Sequence, residues 1–112
     1  MLIIREEYKR AKKLLKPLLN GVDFSFIKWN WIKREVAIGG WCSYGRDRTI
    51  ALNKKYRDDR QGNWTEEQMR RTIRHEIVHL CEHSHKPRFY SLLKVVGGHA
   101  FVGGAVYEGK KK

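Results

Sequence analysis

Residues 65–79 constrain this chain more than any other stretch. Thr65-Glu66-Glu67-Gln68 reads as a capping box: the Thr65 hydroxyl can accept from the backbone N–H three residues on, and Gln68 can answer it. Glu66 and Glu67 occupy the first turn, where the positive end of the helix dipole favours carboxylates. Met69, Ile73, Ile77 and Leu80 recur at helical spacing and share one face. The pattern predicts an amphipathic helix from Thr65 to about Glu82, broken at Lys86-Pro87.

That helix carries His75-Glu76-Ile77-Val78-His79. Positions i and i+4 lie one above the other on a helix, so two imidazoles can reach one zinc ion. Glu76 follows the first histidine. Its carboxylate can sit beside the metal, take a proton from an attacking water and later pass it to a leaving amine. A third ligand must come from elsewhere: His83, His85 and His99 are candidates, as are the carboxylates of Glu82 and Glu108. His83 continues the i+4 series, but a straight helix puts three such residues on a line about 6 Å apart per step, which closes a tetrahedron badly. His85 lies just past the expected helix end, where the chain can turn back and Pro87 helps set the turn. It therefore ranks first, His99 second and His83 third. Cys81 points to nearly the opposite face from His79 and is not expected to ligate. Tyr90, His99 and Tyr107 are the available oxyanion donors, although packing or surface placement is the ordinary fate of such residues.

The rest of the chain reads as follows. Leu2, Ile4, Tyr8, Ala11, Leu15 and Leu18 mark a helix over 2–19, which Pro17 kinks or ends and Asn20-Gly21 stops. Residues 22–52 resemble an antiparallel meander. Val22, Phe24 and Phe26 alternate as a first strand, and Asn30 marks a turn. Trp31, Ile32, Val36 and Ile38 form a second strand ending near Gly39-Gly40, with Trp41 to Tyr44 as its continuation past a bulge. Gly45-Arg46-Asp47 turns into a third strand at Thr49, Ile50 and Leu52. Asn53 to Asn63 is a charged connection, and Phe89 to Val96 a short helix. Gly97, Gly98, Gly103 and Gly104 leave an irregular end or a short strand pair, with Gly109 to Lys112 as a frayed basic tail. The expected fold class is α+β: an N-terminal helix, a three-stranded antiparallel sheet, the long helix and a short C-terminal helix. Its 112 residues suffice for one hydrophobic core, so residues 1–112 are expected to form a single domain.

Charge narrows the partners. Lys and Arg outnumber Asp and Glu 24 to 12, leaving a formal +12, spread along the whole chain. Such a field attracts polyanions, of which nucleic acid is the commonest. No helix-turn-helix, zinc finger or RNA-reading aromatic signature is present, so the expected binding is not sequence-specific. Trp29, Trp31, Trp41 and Trp64 supply large apolar pieces, mostly to the core, and could stack on bases if exposed. No apolar run approaches the roughly 20 residues of a spanning helix, and Arg5-Glu6-Glu7 follow the start too closely for a signal peptide. An intracellular monomer is the default expectation. In that compartment Cys42 and Cys81 are expected to be buried thiols, since two cysteines build no disulfide framework.

The run from His75 to Phe89 resembles the core of the SprT-like zinc metallopeptidases and the neighbouring WLM-type peptidases. There HExxH is followed by a third histidine, three residues and an aromatic, as in His85-Lys86-Pro87-Arg88-Phe89. Gly40-Trp41-Cys42 and Arg48-Thr49-Ile50-Ala51-Leu52-Asn53 are similar to the family's strand with its I-x-L-N ending. The resemblance covers about residues 38–93. It implies a zincin-like fold, one zinc on His75, His79 and His85, Glu76 as catalyst, and a protein substrate. In the Spartan group that substrate is protein crosslinked to DNA, which suits the positive charge. Many members carry a further zinc module after the protease core; two cysteines cannot build a four-cysteine site here. Two other readings stand beside this one. One is a peptidase with an unrelated processing or regulatory substrate. The other is a non-catalytic, basic nucleic-acid-binding domain with a structural metal.

Overall fold

The computed structural model describes residues 2–18, 28–43, 49–82 and 85–98, and the backbone of the pairs 101–102 and 105–106. The expected strand over Val22 to Phe26, the turn at 45–47 and the tail from Gly109 lie outside the described residues.

Helix α1 (Leu2–Leu15) buries Ile4, Ala11 and Leu15. A 3-10 turn at Lys16–Leu18 follows, because Pro17 has no N–H for the helical ladder and its ring crowds the preceding turn.

Three strands form one sheet: β1 (Lys28–Ile32), β2 (Gly40–Cys42) and β3 (Thr49–Asn53), in the order β1-β3-β2. The antiparallel meander is corrected here. β2 pairs antiparallel with β3, but β1 runs parallel to it, with Trp31 opposite Leu52. Parallel neighbours need a long connection, and residues 33–48 provide one that contains β2. β3 is thus hydrogen-bonded on both sides, and all five of its residues are buried. Asn30 sits inside β1 opposite Ala51 rather than in a turn. Val36 and Ile38 are loop, not strand: Asn53 Nδ2 donates to both of their carbonyls, at 3.0 and 2.8 Å. The Asn53 Oδ1 accepts from the Lys55 N–H at 2.9 Å, so this asparagine ties the loop to the sheet. Gly40 has no room for a side chain, since a Cβ there would lie 2.5 Å from the Ala51 carbonyl.

The charged connection contains a helical turn, α2 (Lys55–Asp58), and a 3-10 turn at Gly62–Trp64. Helix α3 (Glu66–His79) then starts as expected, with Thr65 Oγ1 accepting from the Gln68 N–H at 3.3 Å. It ends at His79, short of Glu82, in a turn where the Leu80 and Cys81 N–H groups bond Ile77 and Val78. Pro87 does not break it. Pro87 instead opens α4 (Pro87–Val96), at the first helical position, where its missing N–H costs nothing. Gly97 caps α4 in the left-handed conformation, φ 77°, and its N–H bonds the Leu93 carbonyl. A short antiparallel pair, β4 (Phe101–Val102) and β5 (Ala105–Val106), follows.

One core joins these layers. Met69, Ile73, Ile77 and Val78 of α3 pack with Ile50 and Leu52 of β3, Leu15 of α1, and Phe89, Leu93 and Val96 of α4. α1 is also fastened to α3 by charge: Arg74 and Arg70 donate to Glu7 at 2.7 and 2.9 Å. Cys42 and Cys81, expected to be buried, are both half-buried, because they lie at the end of an edge strand and just past a helix end. None of the tryptophans is fully buried; Trp29, Trp31 and Trp64 pack on the margin of the core. No described helix is long and apolar enough to cross a membrane.

Candidate metal centre

The last turn of α3 and the first residues before α4 face each other. α3 presents His75 and His79 one turn apart, their rings 4.9 Å centre to centre. After the turn at Leu80–Cys81 the chain comes back, and His85 approaches both. Its Nε2 lies 3.1 Å from Nε2 of His79 and 3.4 Å from Nε2 of His75. His75 and His79 are buried, while His85 closes the group from the solvent side. Among the described residues these three alone form a group able to hold a metal ion. His83, His99 and Glu108 lie outside the described residues. The Glu82 carboxylate turns to Arg88 at 3.7 Å instead.

Do these nitrogens fit an ion? The His79 Nδ1 lies 3.2 Å from the Glu82 carbonyl. A carbonyl only accepts, so Nδ1 carries the proton and Nε2 presents a lone pair. One proton on His85 Nε2 cannot serve both His75 and His79, whereas one cation can satisfy all three. Zinc–imidazole bonds of about 2.0–2.1 Å at tetrahedral angles put neighbouring nitrogens about 3.3–3.4 Å apart. The observed 3.1 and 3.4 Å bracket that edge. Partial desolvation pushes the His85 imidazole below its usual pKa, which favours the neutral, ligating form.

Phe89 is the floor of the site. It is fully buried, and its ring lies 4.9, 4.4 and 4.9 Å from the rings of His75, His79 and His85. Tyr90 lies beside it, stacked on His85 at 6.3 Å with its hydroxyl buried. Tyr107, like His99, lies outside the described residues.

Glu76 sits between the two α3 ligands in sequence and is buried, 6% exposed. Desolvation raises its pKa to about 8. One turn earlier on the same face, Thr72 Oγ1 and the Tyr56 hydroxyl are 2.6 Å apart. Burial, reinforced by the neighbouring Glu76 charge, keeps Tyr56 protonated well above its ordinary pKa. A cation on the histidines would draw the Glu76 carboxyl back toward its ionised form.

Of the residues read from the sequence, His75, His79 and His85 are therefore brought to one place, and Glu76 is buried next to His75 in the chain. The Phe89 floor was visible only as the aromatic of the H-x-x-x-F run, with no role attached. The Glu82 carbonyl has no side-chain signal that could have marked it. No family model matches the chain, and no curated protein or solved structure matches it.

Proposed function

We propose that this chain is a zinc-dependent endopeptidase of zincin-like type, acting on proteins at or crosslinked to nucleic acid. One observation carries the reading: His85 Nε2 lies 3.1 and 3.4 Å from Nε2 of His79 and His75, all three histidines offer a nitrogen within 4.8 Å of the others, and the Glu76 that follows His75 is buried. His75, His79 and His85 would hold one zinc ion, with the Glu82 carbonyl fixing the tautomer of His79. Bound there, zinc supplies Lewis-acid polarisation of a scissile carbonyl and lowers the pKa of water.

The chain's own residues supply the rest. Glu76 accepts a proton from the attacking water and returns it to the leaving amine, and a cation on the histidines would favour the ionised carboxylate that this role needs. The Phe89 ring holds the imidazoles at a fixed tilt and keeps water from beneath them. β2 is an edge of the sheet, hydrogen-bonded to β3 alone among the described strands. It packs on α3 at Thr72, one turn before the site. Its outer N–H and C=O groups suit an extended peptide as an added strand.

A purely structural metal is the weaker reading. Structural zinc sites close with four protein ligands, often cysteines, and the group has three among the described residues, with Cys81 not one of them. Nor does such a site need a desolvated carboxylate beside it. The nucleic-acid part of the reading rests on the +12 charge. The test is metal analysis of the purified protein, then cleavage of a DNA-bound and a free protein by wild type and Glu76→Gln. Zinc-replete wild type that cleaves neither substrate refutes the peptidase reading. Equal cleavage of both leaves a peptidase with an unrelated substrate.

A further inference from the structure

The charges on α1 are sorted by sign across the helix. Glu7 faces α3 and is consumed there by Arg70 and Arg74, and Glu6 reaches Arg70 at 3.0 Å. Arg5, Lys9, Lys12 and Lys16 follow at i, i+4, i+7 and i+11 on the other side, with Lys13 beside them. Lys9, Lys12, Lys13 and Lys16, with Pro17, line one open groove of about 440 Å³. Its lining is mostly apolar, as lysine methylene stems and a proline ring supply. Among the described residues no carboxylate forms an ion pair with these four lysines.

That arrangement works against the helix. Like charges at i, i+3 and i+4 repel by a few tenths of a kcal/mol per pair, and a surface shaped for solubility alone interleaves its signs. The negative end of the helix dipole accounts for cations in the last turn, Lys12 and Lys13. It does not account for Arg5 and Lys9, which lie before the last turn. A polyanion with regularly spaced charges relieves the repulsion along the whole row.

We infer that this lysine row of α1 is the docking surface for a nucleic-acid phosphate backbone. It recognises charge spacing, not sequence, since the groove offers cations and methylenes but no donor–acceptor pattern for base edges. An anionic membrane fits less well. A helix lying on a membrane must insert its apolar face, and Ile4, Ala11 and Leu15 of α1 are already buried in the core. The row stands on the opposite side of α1 from the face that packs on α3. A bound strand would therefore leave the histidine site accessible to protein. The inference deepens the proposed action at nucleic acid by naming the surface responsible.

The test compares two variants that lose equal charge. One replaces Lys9, Lys12, Lys13 and Lys16 by Gln; the other replaces Lys33, Lys94, Lys111 and Lys112 by Gln. Glutamine keeps helix propensity close to lysine's, and circular dichroism checks the fold. Binding to a labelled oligonucleotide, single- and double-stranded, is titrated at several salt concentrations. The row variant should bind about tenfold or more weakly at low salt. Its plot of log affinity against log salt should be shallower by about two to four, roughly one per lost phosphate contact. The comparator should lose no more than about threefold. Equal losses in the two variants overturn the inference, because net charge alone then suffices. Absence of wild-type binding at low salt, or stronger wild-type binding to phosphatidylserine vesicles than to oligonucleotide, also overturns it. Cleavage of a free protein substrate keeps the two readings separate, since no residue of the row touches the histidines. An inactive protein that still binds through the row refutes only the peptidase reading.

Discussion

Glu7, which reaches α3 from α1, and Glu76, which belongs to α3 itself, are buried almost equally, 3% and 6% exposed. Their chemistry differs completely. Burial alone would raise the Glu7 carboxyl, yet hydrogen bonds from Arg74 and Arg70 outweigh it and hold the pKa below its ordinary value. Glu76 has burial as its one resolved cause and rises to about 8. An acid buried for architecture is given its counter-charge by the fold. Glu76 has no such counter-charge among its resolved causes, and it follows His75, one of three histidines whose nitrogens a cation could join. The contrast separates a fastening from a site within one helix.

The sharpest way to break that contrast is to remove each charge. Glu76→Gln should keep about one zinc per chain and the fold, and lower peptidase turnover by about 10²- to 10⁴-fold. Wild-type-like turnover in that variant would end the general-base assignment. His75→Ala or His79→Ala should reduce bound zinc to near zero, measured by elemental analysis after dialysis. His85→Ala should weaken binding far more than His83→Ala, because His85 is the histidine that closes the triangle.

Two substitutions separate packing from charge. Phe89→Ala removes a fully buried ring from beneath all three imidazoles and should destabilise the protein by about 3–5 kcal/mol. Phe89→Leu should cost much less and retain the metal. Glu7→Gln should destabilise by about 2–3 kcal/mol, less than a wholly buried pair, because Arg70 keeps Glu6 and Glu66 as partners. Its turnover per folded molecule should be unchanged. Urea unfolding beside activity at matched folded fraction distinguishes the two; a Glu7→Gln protein that is stable but inactive would erase the distinction between the acids.

The two parts of the molecule were unequally legible. The start of α3 was plain because capping is a local event, written in Thr65 and Gln68. The histidine pair on α3 was plain because i, i+4 spacing is geometry of one helix. His85 was legible in part, since only a chain reversal after the helix was needed. The sequence places that reversal just past Glu82, with Pro87 helping to set it, whereas the turn begins at Leu80. The sheet was misread because alternation tells which face a residue takes, not which strand lies beside it. Nothing in Lys28–Ile32 says that its neighbour will be Thr49–Asn53 running the same way. The Asn53 clamp on Val36 and Ile38 is a contact between segments far apart in sequence. So is the Glu7–Arg74 bridge, and periodicity carries no trace of either.

The last prediction uses pH, and its effect is spread thinly over several units. In the metal-free protein Glu76 keeps its proton up to about pH 8, whereas in the unfolded chain it ionises near 4.5. Between those values the folded state binds more protons than the unfolded state. Stability contributed by this group therefore falls as pH rises through that window, by at most about 1.4 kcal/mol per unit. Glu7 acts in the opposite sense and elsewhere. Its depressed pKa contributes stability above the ordinary carboxylate range and loses it as pH falls through the folded value. Apo wild type should thus lose stability from pH 5 to 8 relative to apo Glu76→Gln, while Glu7→Gln should flatten only the acid limb. Adding zinc should reverse the Glu76 trend, since the cation favours the carboxylate, and proton release on zinc binding near pH 7 should be larger in wild type than in Glu76→Gln. Calorimetry in buffers of different ionisation enthalpy measures that difference. Parallel apo stability curves for wild type and Glu76→Gln across pH 5–8, with equal proton release, would show that Glu76 is as well solvated as any surface acid and would remove the contrast with Glu7.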